Sequence, residues 1–326
     1  MDDILIYSPE DLSLKDGIIS RKINSSMWNL RFYDAGSFQL NLSQNPFEIG
    51  NIIQQGEKSG IVMKIQQNYT ETIAYGYTLN AITKFRHIFK KQSFSGTPES
   101  IITNIAIQTL TEGERAIPKL SVLQNQTSNS ETHTLEFENS NVFEKLLDFC
   151  KLTEVSYDIN FSGDNLVFKC IQGRNMTELC MFGRRYRNMD NMEYTQDDYN
   201  SKNVVYSSYI DETGKVGNEG ERIYTTIGDS VGFLRRETGV SDNNECQSII
   251  ANNKLSESLK GTANDKLKYM EDWKLGDYVT VAFDDLITAK QIVEVQEVYE
   301  KGNTTIIPIF GEEKENPIRK IMRGGI

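Results

Sequence analysis

The chain has 326 residues, more than the roughly 250–300 at which a single hydrophobic core stops growing, so two or more domains are expected. Apolar residues make up 38% and charged residues 25%, a composition that folds and excludes wholesale disorder. The balance of 35 Lys and Arg against 46 Asp and Glu gives a net charge of −11, which argues against specific nucleic-acid binding and against adhesion to anionic membranes.

The N-terminus, Met1-Asp2-Asp3-Ile4-Leu5-Ile6-Tyr7, has neither a basic nor an apolar leader region, and no apolar run is long enough to span a bilayer. Residues 1–90 read as mostly β. Trp28, Leu30 and Phe32 alternate with Asn29 and Arg31; after Tyr33-Asp34-Ala35-Gly36, Phe38, Leu40 and Leu42 alternate with Gln39 and Asn41. That pattern predicts two half-buried strands around a tight turn. A second hairpin is predicted from Ile61, Met63 and Ile65, returning through Ile73, Tyr75 and Tyr77.

Residues 93–180 change character. Thr97-Pro98-Glu99 carries a cap, a proline at the first helical position and an acid in the first turn, with Ile101, Ile102, Ile105 and Leu110 as the helical stripe. Residues 111–132 read as a polar loop. Asn141 followed by Glu144 opens a second helix, with Val142, Leu146, Leu147 and Cys150 along one face. Alternation from Val155 to Phe161, the turn Ser162-Gly163-Asp164-Asn165 and the run Leu166–Cys170 predict a hairpin.

Residues 181–200, with Arg184-Arg185-Tyr186-Arg187, read as a polar connection; short β stretches follow at Val204–Tyr209 and Ile223–Ile227. Residues 242–270 read as helical, through Ile249, Ile250, Leu255, Leu259 and Leu267, weakened by Gly261. Leu275-Gly276-Asp277 turns into a strand at Tyr278–Val281, and a long hairpin is predicted from Ile287–Val298 back through Thr304–Phe310. Its layout repeats that of the hairpin at 60–82, with Tyr299 placed like Tyr69. The tail from Glu312 to Ile326 is charged and glycine-rich and is expected to be mobile until it docks on a partner.

The sequence carries no phosphate-cradling glycine loop, zinc-protease helix, nucleophile elbow or calcium loop. With only His87 and His133, a His-built metal site or His-relay hydrolase is almost excluded. Both histidines read as surface or satisfied polar groups, and the acid pairs Asp197-Asp198 and Asp284-Asp285 as chance neighbours among 46 acids. Cys150, Cys170, Cys180 and Cys246 have no paired spacing and read as reduced core thiols; Trp28 and Trp273 read as core. The arginine cluster reads as solvated or paired at an interface. No catalytic, cofactor-binding or metal-binding residue is assigned, and no cofactor; the chain does not read as an enzyme.

Two stretches carry a family resemblance. Ser26-Met27-Trp28-Asn29-Leu30-Arg31-Phe32-Tyr33-Asp34-Ala35-Gly36-Ser37-Phe38-Gln39-Leu40-Asn41-Leu42, with Gly76–Ile82 and Arg86, resembles the first half of the hub proteins of tailed-phage baseplates. Trp273-Lys274-Leu275-Gly276-Asp277-Tyr278-Val279-Thr280-Val281, with Ile292–Tyr299 and Ile309-Phe310-Gly311, is similar to that family's closing strands. Phage-tail-like bacteriocins and contractile injection particles use the same part. The resemblance implies an α+β, mostly β fold: two tail-tube-like β-barrels flanking a small α/β module, assembled as a trimeric ring. It divides the chain into a first barrel at 1–92, a peripheral module at 93–200, a second barrel at 201–311 with a helical insertion near 242–270, and a tail at 312–326.

The implied role is structural, joining the tail tube to the central spike or tip. The implied partners are two further copies, the tube protein, the spike or tip protein, neighbouring baseplate proteins and the tape-measure protein, without stable membrane anchoring. The implied location is the bacterial cytoplasm during assembly and then the particle. The rival readings are a tail-associated cell-wall hydrolase and a host-glycan-binding tail protein. The acidic balance suggests a conduit whose walls do not hold DNA.

Overall fold

The computed structural model describes residues 2–199, 201–208, 222–226, 232–240, 255–300 and 302–311. Contacts divide the chain into a first unit, residues 1–192 with 260–310, and a second, residues 193–259 with 311–326. The fold is mostly β.

The first unit opens with β1 (Ile4–Tyr7), β2 (Leu14–Ile18), β3 (Ile23–Arg31), β4 (Ser37–Leu42), β5 (Ile52–Gln55), β6 (Lys58–Gln67) and β7 (Thr72–Thr78). The predicted β3–β4 hairpin forms in the register that pairs Trp28 with Phe38 and Ser26 with Leu40. Trp28, Phe38 and Leu40 are buried with Ile4, Ile6, Ile53, Val62 and Ala74 in one core. Burying each large apolar side chain contributes about 1.5–3 kcal/mol, which holds the alternation to one face. The Trp28 indole Nε1 donates to Gln55 Oε1 at 2.7 Å, so its polar atom is satisfied.

The second hairpin forms as β6–β7, but two faces differ from the reading. A β-bulge between Val62 and Lys64 leaves Met63 unpaired and exposed and turns Val62 into the core. Ile61 therefore packs on one core and Val62 and Ile65 on another. On β7 the small residues face inward. The Phe38 ring occupies the space over Gly76, where a Cβ would come within 2.4 Å of it. Ala74 is buried and Tyr75 and Tyr77 take the outer face.

A 3-10 turn, Leu79–Phe85, leads to the α/β module. Strands β8 (His87–Ile88), β9 (Gln92–Gly96), β10 (Leu120–Val122), β11 (His133–Phe137), β12 (Ser140–Asn141), β13 (Val155–Ser162) and β14 (Asn165–Gln172) surround α1 (Pro98–Leu110) and α2 (Val142–Thr153). Both helices start where their caps predict. Thr97 Oγ1 accepts from Ser100 N at 3.3 Å, and Asn141 Oδ1 accepts from Phe143 N and Glu144 N at 2.9 and 3.3 Å. Ile101, Ile102, Ile105, Leu110, Val142, Leu146 and Cys150 are buried in one core with β13 and β14. The stretch 111–132 is not all loop: β10 adds to β14 in parallel.

Residues 181–200 are a correction. Instead of a polar connection they form β15 (Met181–Gly183), a 3-10 turn at Arg184–Tyr186 and β16 (Met189–Asp197). Few apolar residues suffice because Phe182 and Met189 are fully buried. In the second unit, β17 (Val204–Ser208) pairs antiparallel with β18 (Arg222–Thr226) and parallel with β19 (Glu237–Val240). The helix read at 242–270 is corrected where it is described: β20 (Ser256–Ala263) is a strand, followed by turns to Trp273. Leu255 is exposed while Leu259 is buried, so they share no helical stripe. At Gly261 a side chain would strike Met189 and Asp190. Residues 242–254, Cys246 and the tail 312–326 lie outside the described residues.

The chain closes with β21 (Tyr278–Phe283), β22 (Leu286–Glu300) and β23 (Asn303–Gly311). The strand order is β16-β20-β23-β22-β3-β4-β7-β6-β5-β1-β2, with β21 on β22 and β15 on β21. The predicted repeat hairpins are therefore both present, and β3–β4 lies between them in one sheet. Among the described residues the path is open, because its end strands β16 and β2 do not pair with each other.

Candidate assembly surface

The geometry concentrates at the two ends of the β22–β3–β4–β7 sheet. β22 pairs with β21 over its first six residues, Leu286–Gln291, and with β3 from Glu294 to Glu300. One end of the sheet is covered. Ser156 Oγ donates to Phe32 O, and Ser59 Oγ donates to Ile159 O at 2.9 Å. Asn80 Nδ2 donates to Tyr157 O at 3.1 Å while Asn80 Oδ1 accepts from Ile159 N at 3.0 Å. All are buried polar groups with partners, so β13 is fixed on this end. Burial holds the Tyr157 phenol well above its usual range, and its hydroxyl pairs with Thr83 Oγ1 at 2.8 Å.

The Leu275-Gly276-Asp277 turn closes the same end. Gly276 has φ +96° and lies on the Phe32 ring, where a Cβ would come within 2.2 Å. Buried Asp277 accepts from Arg174 N, Nε and Nη2 at 3.0, 3.1 and 2.6 Å and from Lys274 N at 2.9 Å. This bidentate clamp raises the Arg174 pKa through its hydrogen bonds with Asp277. The motif that carries the family resemblance is thus a structural lock. Trp273 beside it is fully buried, as expected, with its ring edge-on to Phe182 at 5.3 Å.

Among the described residues the other end is bare. Glu300 pairs with Ser25, Ser25 with Asn41, and Leu42 with Thr72, so the tips of the β22–β23 and β6–β7 hairpins project at the same end. Asn24 Nδ2 donates to Asn41 Oδ1 at 3.2 Å, and Asn41 Nδ2 to Glu71 Oε2 at 2.7 Å. Asn68 Oδ1 accepts from Thr70 N and Glu71 N at 2.8 and 2.9 Å. This polar ladder stiffens the tip and leaves Tyr69 fully exposed at its apex. Sequence periodicity identifies the hairpins but not their shared end, which depends on β22 pairing with β3.

The outer sheet face between these ends is rich in amides and hydroxyls. Register places Asn29, Ser37, Gln39, Asn41, Tyr75 and Gln296 on it. Its Arg31 pairs with Glu294 at 2.9 Å and with Asp34 at 3.2 Å.

The remaining chemical candidates disperse. His87 Nε2 lies 3.0 Å from Asn139 Oδ1, and His133 lies edge-on to Phe149 with Nε2 3.5 Å from Glu131. Cys150, Cys170 and Cys180 are free and buried; burial raises the pKa of all three thiols, which keeps them protonated. No group of three or more His, Cys, Asp or Glu able to hold a metal ion occurs among the described residues, and none of their helices is long and apolar enough to cross a membrane. Arg184–Arg187 and Asp284-Asp285 are brought to the same end of the β15–β21–β22 ladder, because Gly183 pairs with Ala282 and Phe283 with Leu286. Asp197 and Asp198 cap turns, accepting from Tyr199 N and from Ser201 Oγ.

No family model matches the chain, and no curated protein matches it by sequence. Solved structures do. Prophage tail protein gp18 from Listeria monocytogenes is 13% identical at a TM-score of 0.55, covering 99% of this chain and 100% of its own. The tail protein from Neisseria meningitidis is 13% identical at 0.59, covering 96% and 97%. The 43 kDa tail protein of prophage MuSo2 from Shewanella oneidensis is 12% identical at 0.56, covering 95% and 98%. At these identities the likeness concerns the fold, and it runs through the whole chain, including the middle where the sequence is least distinctive. The chain has the fold of phage tail proteins.

Proposed function

We propose that the chain is a structural, non-enzymatic baseplate hub of a phage or phage-tail-like particle. In this reading, three copies form a ring that joins the tail tube to the central spike or tip, with neighbouring baseplate proteins and the tape-measure protein as further partners. The particle is assembled in the bacterial cytoplasm. The observation that carries the reading is full-length likeness in fold to phage tail proteins, combined with a sheet that is locked at one end and bare at the other. A bare end with a hydrogen-bonded tip at Asn68–Glu71 suits stacking on a neighbouring ring. The two repeated hairpins, one in each proposed tube-like domain, would let a trimer present six similar elements to a sixfold tube.

The outer face supports a conduit. Asn29, Ser37, Gln39, Asn41 and Gln296 hydrogen-bond weakly with anything that passes, and the Arg31 charge is paired. Such a wall offers DNA phosphates few cations to hold them, with Lys64 over the Tyr75 ring as the exposed one. Replacing Gln39, Asn41 and Gln296 by lysine is expected to slow DNA ejection, measured by loss of free genome release from otherwise intact particles. Deleting the gene is expected to leave tubes without tips in electron micrographs. Normal tips in the deletion strain would overturn the proposal, and so would a lytic band from the purified chain that is lost on changing a single acid.

A further inference from the structure

The cationic turn Arg184-Arg185-Tyr186-Arg187 is a charged motif that neither end of the sheet uses. The residues form a single 3-10 turn, with Arg187 N donating to Arg184 O at 3.0 Å and Arg187 left-handed at φ 56°. Buried Asn188 ties both ends of it: Oδ1 accepts from Gly183 N at 3.0 Å and Nδ2 donates to Met181 O at 2.7 Å. From the other side Asn264 Nδ2 donates to Arg187 O at 3.0 Å. The backbone is therefore held, while Arg184, Arg185 and Arg187 are exposed.

No carboxylate lies within 4 Å of any of the three guanidinium groups among the described residues. The acids nearest along the fold are Glu178, Asp190 and the Asp284-Asp285 turn, all exposed. Immediately before the turn, Leu179 is 74% and Met181 38% exposed. A fixed backbone carrying three exposed guanidinium forks, preceded in the chain by two exposed apolar side chains, is unusual in a chain of net charge −11. Guanidinium forks match carboxylates in pairs, and arginine beside aliphatic surface is a common anchor in protein interfaces.

We propose that this turn docks an acidic segment of a partner protein, its carboxylates on Arg184, Arg185 and Arg187 and an apolar side chain on Leu179 and Met181. Duplex DNA is the competing occupant. A long polyanion meets the field of the whole chain, which repels it, whereas a short segment meets the local turn. The inference stands on this turn and does not depend on the ring proposed above.

The test is fluorescence anisotropy of the purified full chain with three labelled probes: a short peptide alternating Glu and Leu, its Gln-Leu counterpart and a short DNA duplex. The Glu-Leu peptide is expected to bind at least about tenfold more tightly than either other probe, and more weakly as salt rises. The combined substitution Arg184→Gln, Arg185→Gln, Arg187→Gln is expected to remove that preference with an unchanged melting temperature. The corresponding lysine variant should retain only part of it, because the forks are lost while the charge stays. Asn188→Ala, which frees the turn but keeps every charge, is expected to weaken the peptide a few-fold. Equal binding of the Glu-Leu and Gln-Leu peptides, tighter binding of the duplex, or undiminished binding by the folded glutamine variant would each overturn the proposal.

Discussion

The two ends of the central sheet are made by the same strands and differ in what meets them. At the covered end, Ser156, Asn80, Gln291 and Asp277 satisfy buried polar groups across elements far apart in the chain. Gln291 alone accepts from Tyr33 Oη at 2.8 Å and donates to Gly276 O at 3.0 Å. At the bare end, Asn24, Asn41, Asn68 and Glu71 hydrogen-bond only to their immediate sheet neighbours, and Tyr69 meets solvent. Polar side chains thus serve different purposes: at one end they fasten distant elements together, and at the other they order an exposed surface.

Substitutions should separate these purposes. Asp277→Ala removes four hydrogen bonds from a buried carboxylate and is expected to cost about 2–3 kcal/mol, read from the denaturant midpoint at unchanged slope. Asn80→Ala leaves Tyr157 O and Ile159 N unsatisfied in the interior, at an expected cost of about 2 kcal/mol. Asp158, on the same strand, works against the fold. Desolvation raises its pKa, so the folded chain holds that proton more tightly than the unfolded chain does. Between the ordinary and the raised value, its contribution to stability therefore grows as pH falls. Asp158→Asn should stabilise the protein at neutral pH, and the gain should vanish in acid. A constant difference across pH would contradict that assignment. At the bare end, Tyr69→Ala and Asn41→Ala are expected to change stability by less than about 0.5 kcal/mol while reducing incorporation into particles. A large stability loss there, or full incorporation, would erase the distinction between the two ends.

Much of the fold is legible in the sequence. The β3–β4 hairpin follows from alternating large apolar residues, and α2 follows from its Asn141 cap and stripe, because both signals are local. Three features escape for physical reasons. The bulge at Met63 reverses a face without changing composition. Gly76 and Ala74 look like the polar side of β7 but face the core, because Phe38 and Leu40 stand opposite them on the neighbouring strand. β15, β16 and β20 carry too few apolar residues for a pattern, yet Phe182 and Met189 are fully buried. The division into a covered and a bare end rests on β22 pairing with β3, seen in the Arg31–Glu294 contact between residues 263 positions apart. No local pattern encodes such a contact. The weak hairpin repeat and the Leu275-Gly276-Asp277 motif are its only traces in the sequence, and the motif proves to be the lock of the covered end rather than part of an assembly surface.

The most direct test of the account is the position of this chain in intact particles, determined by cryo-electron microscopy. The account predicts three copies at the junction of tube and spike, with the tip around Tyr69 and the adjoining strand ends at Glu300 and Asn303 buried against a neighbouring ring. A single copy, a location on the fibres or outer baseplate, or tips left in solvent would contradict it.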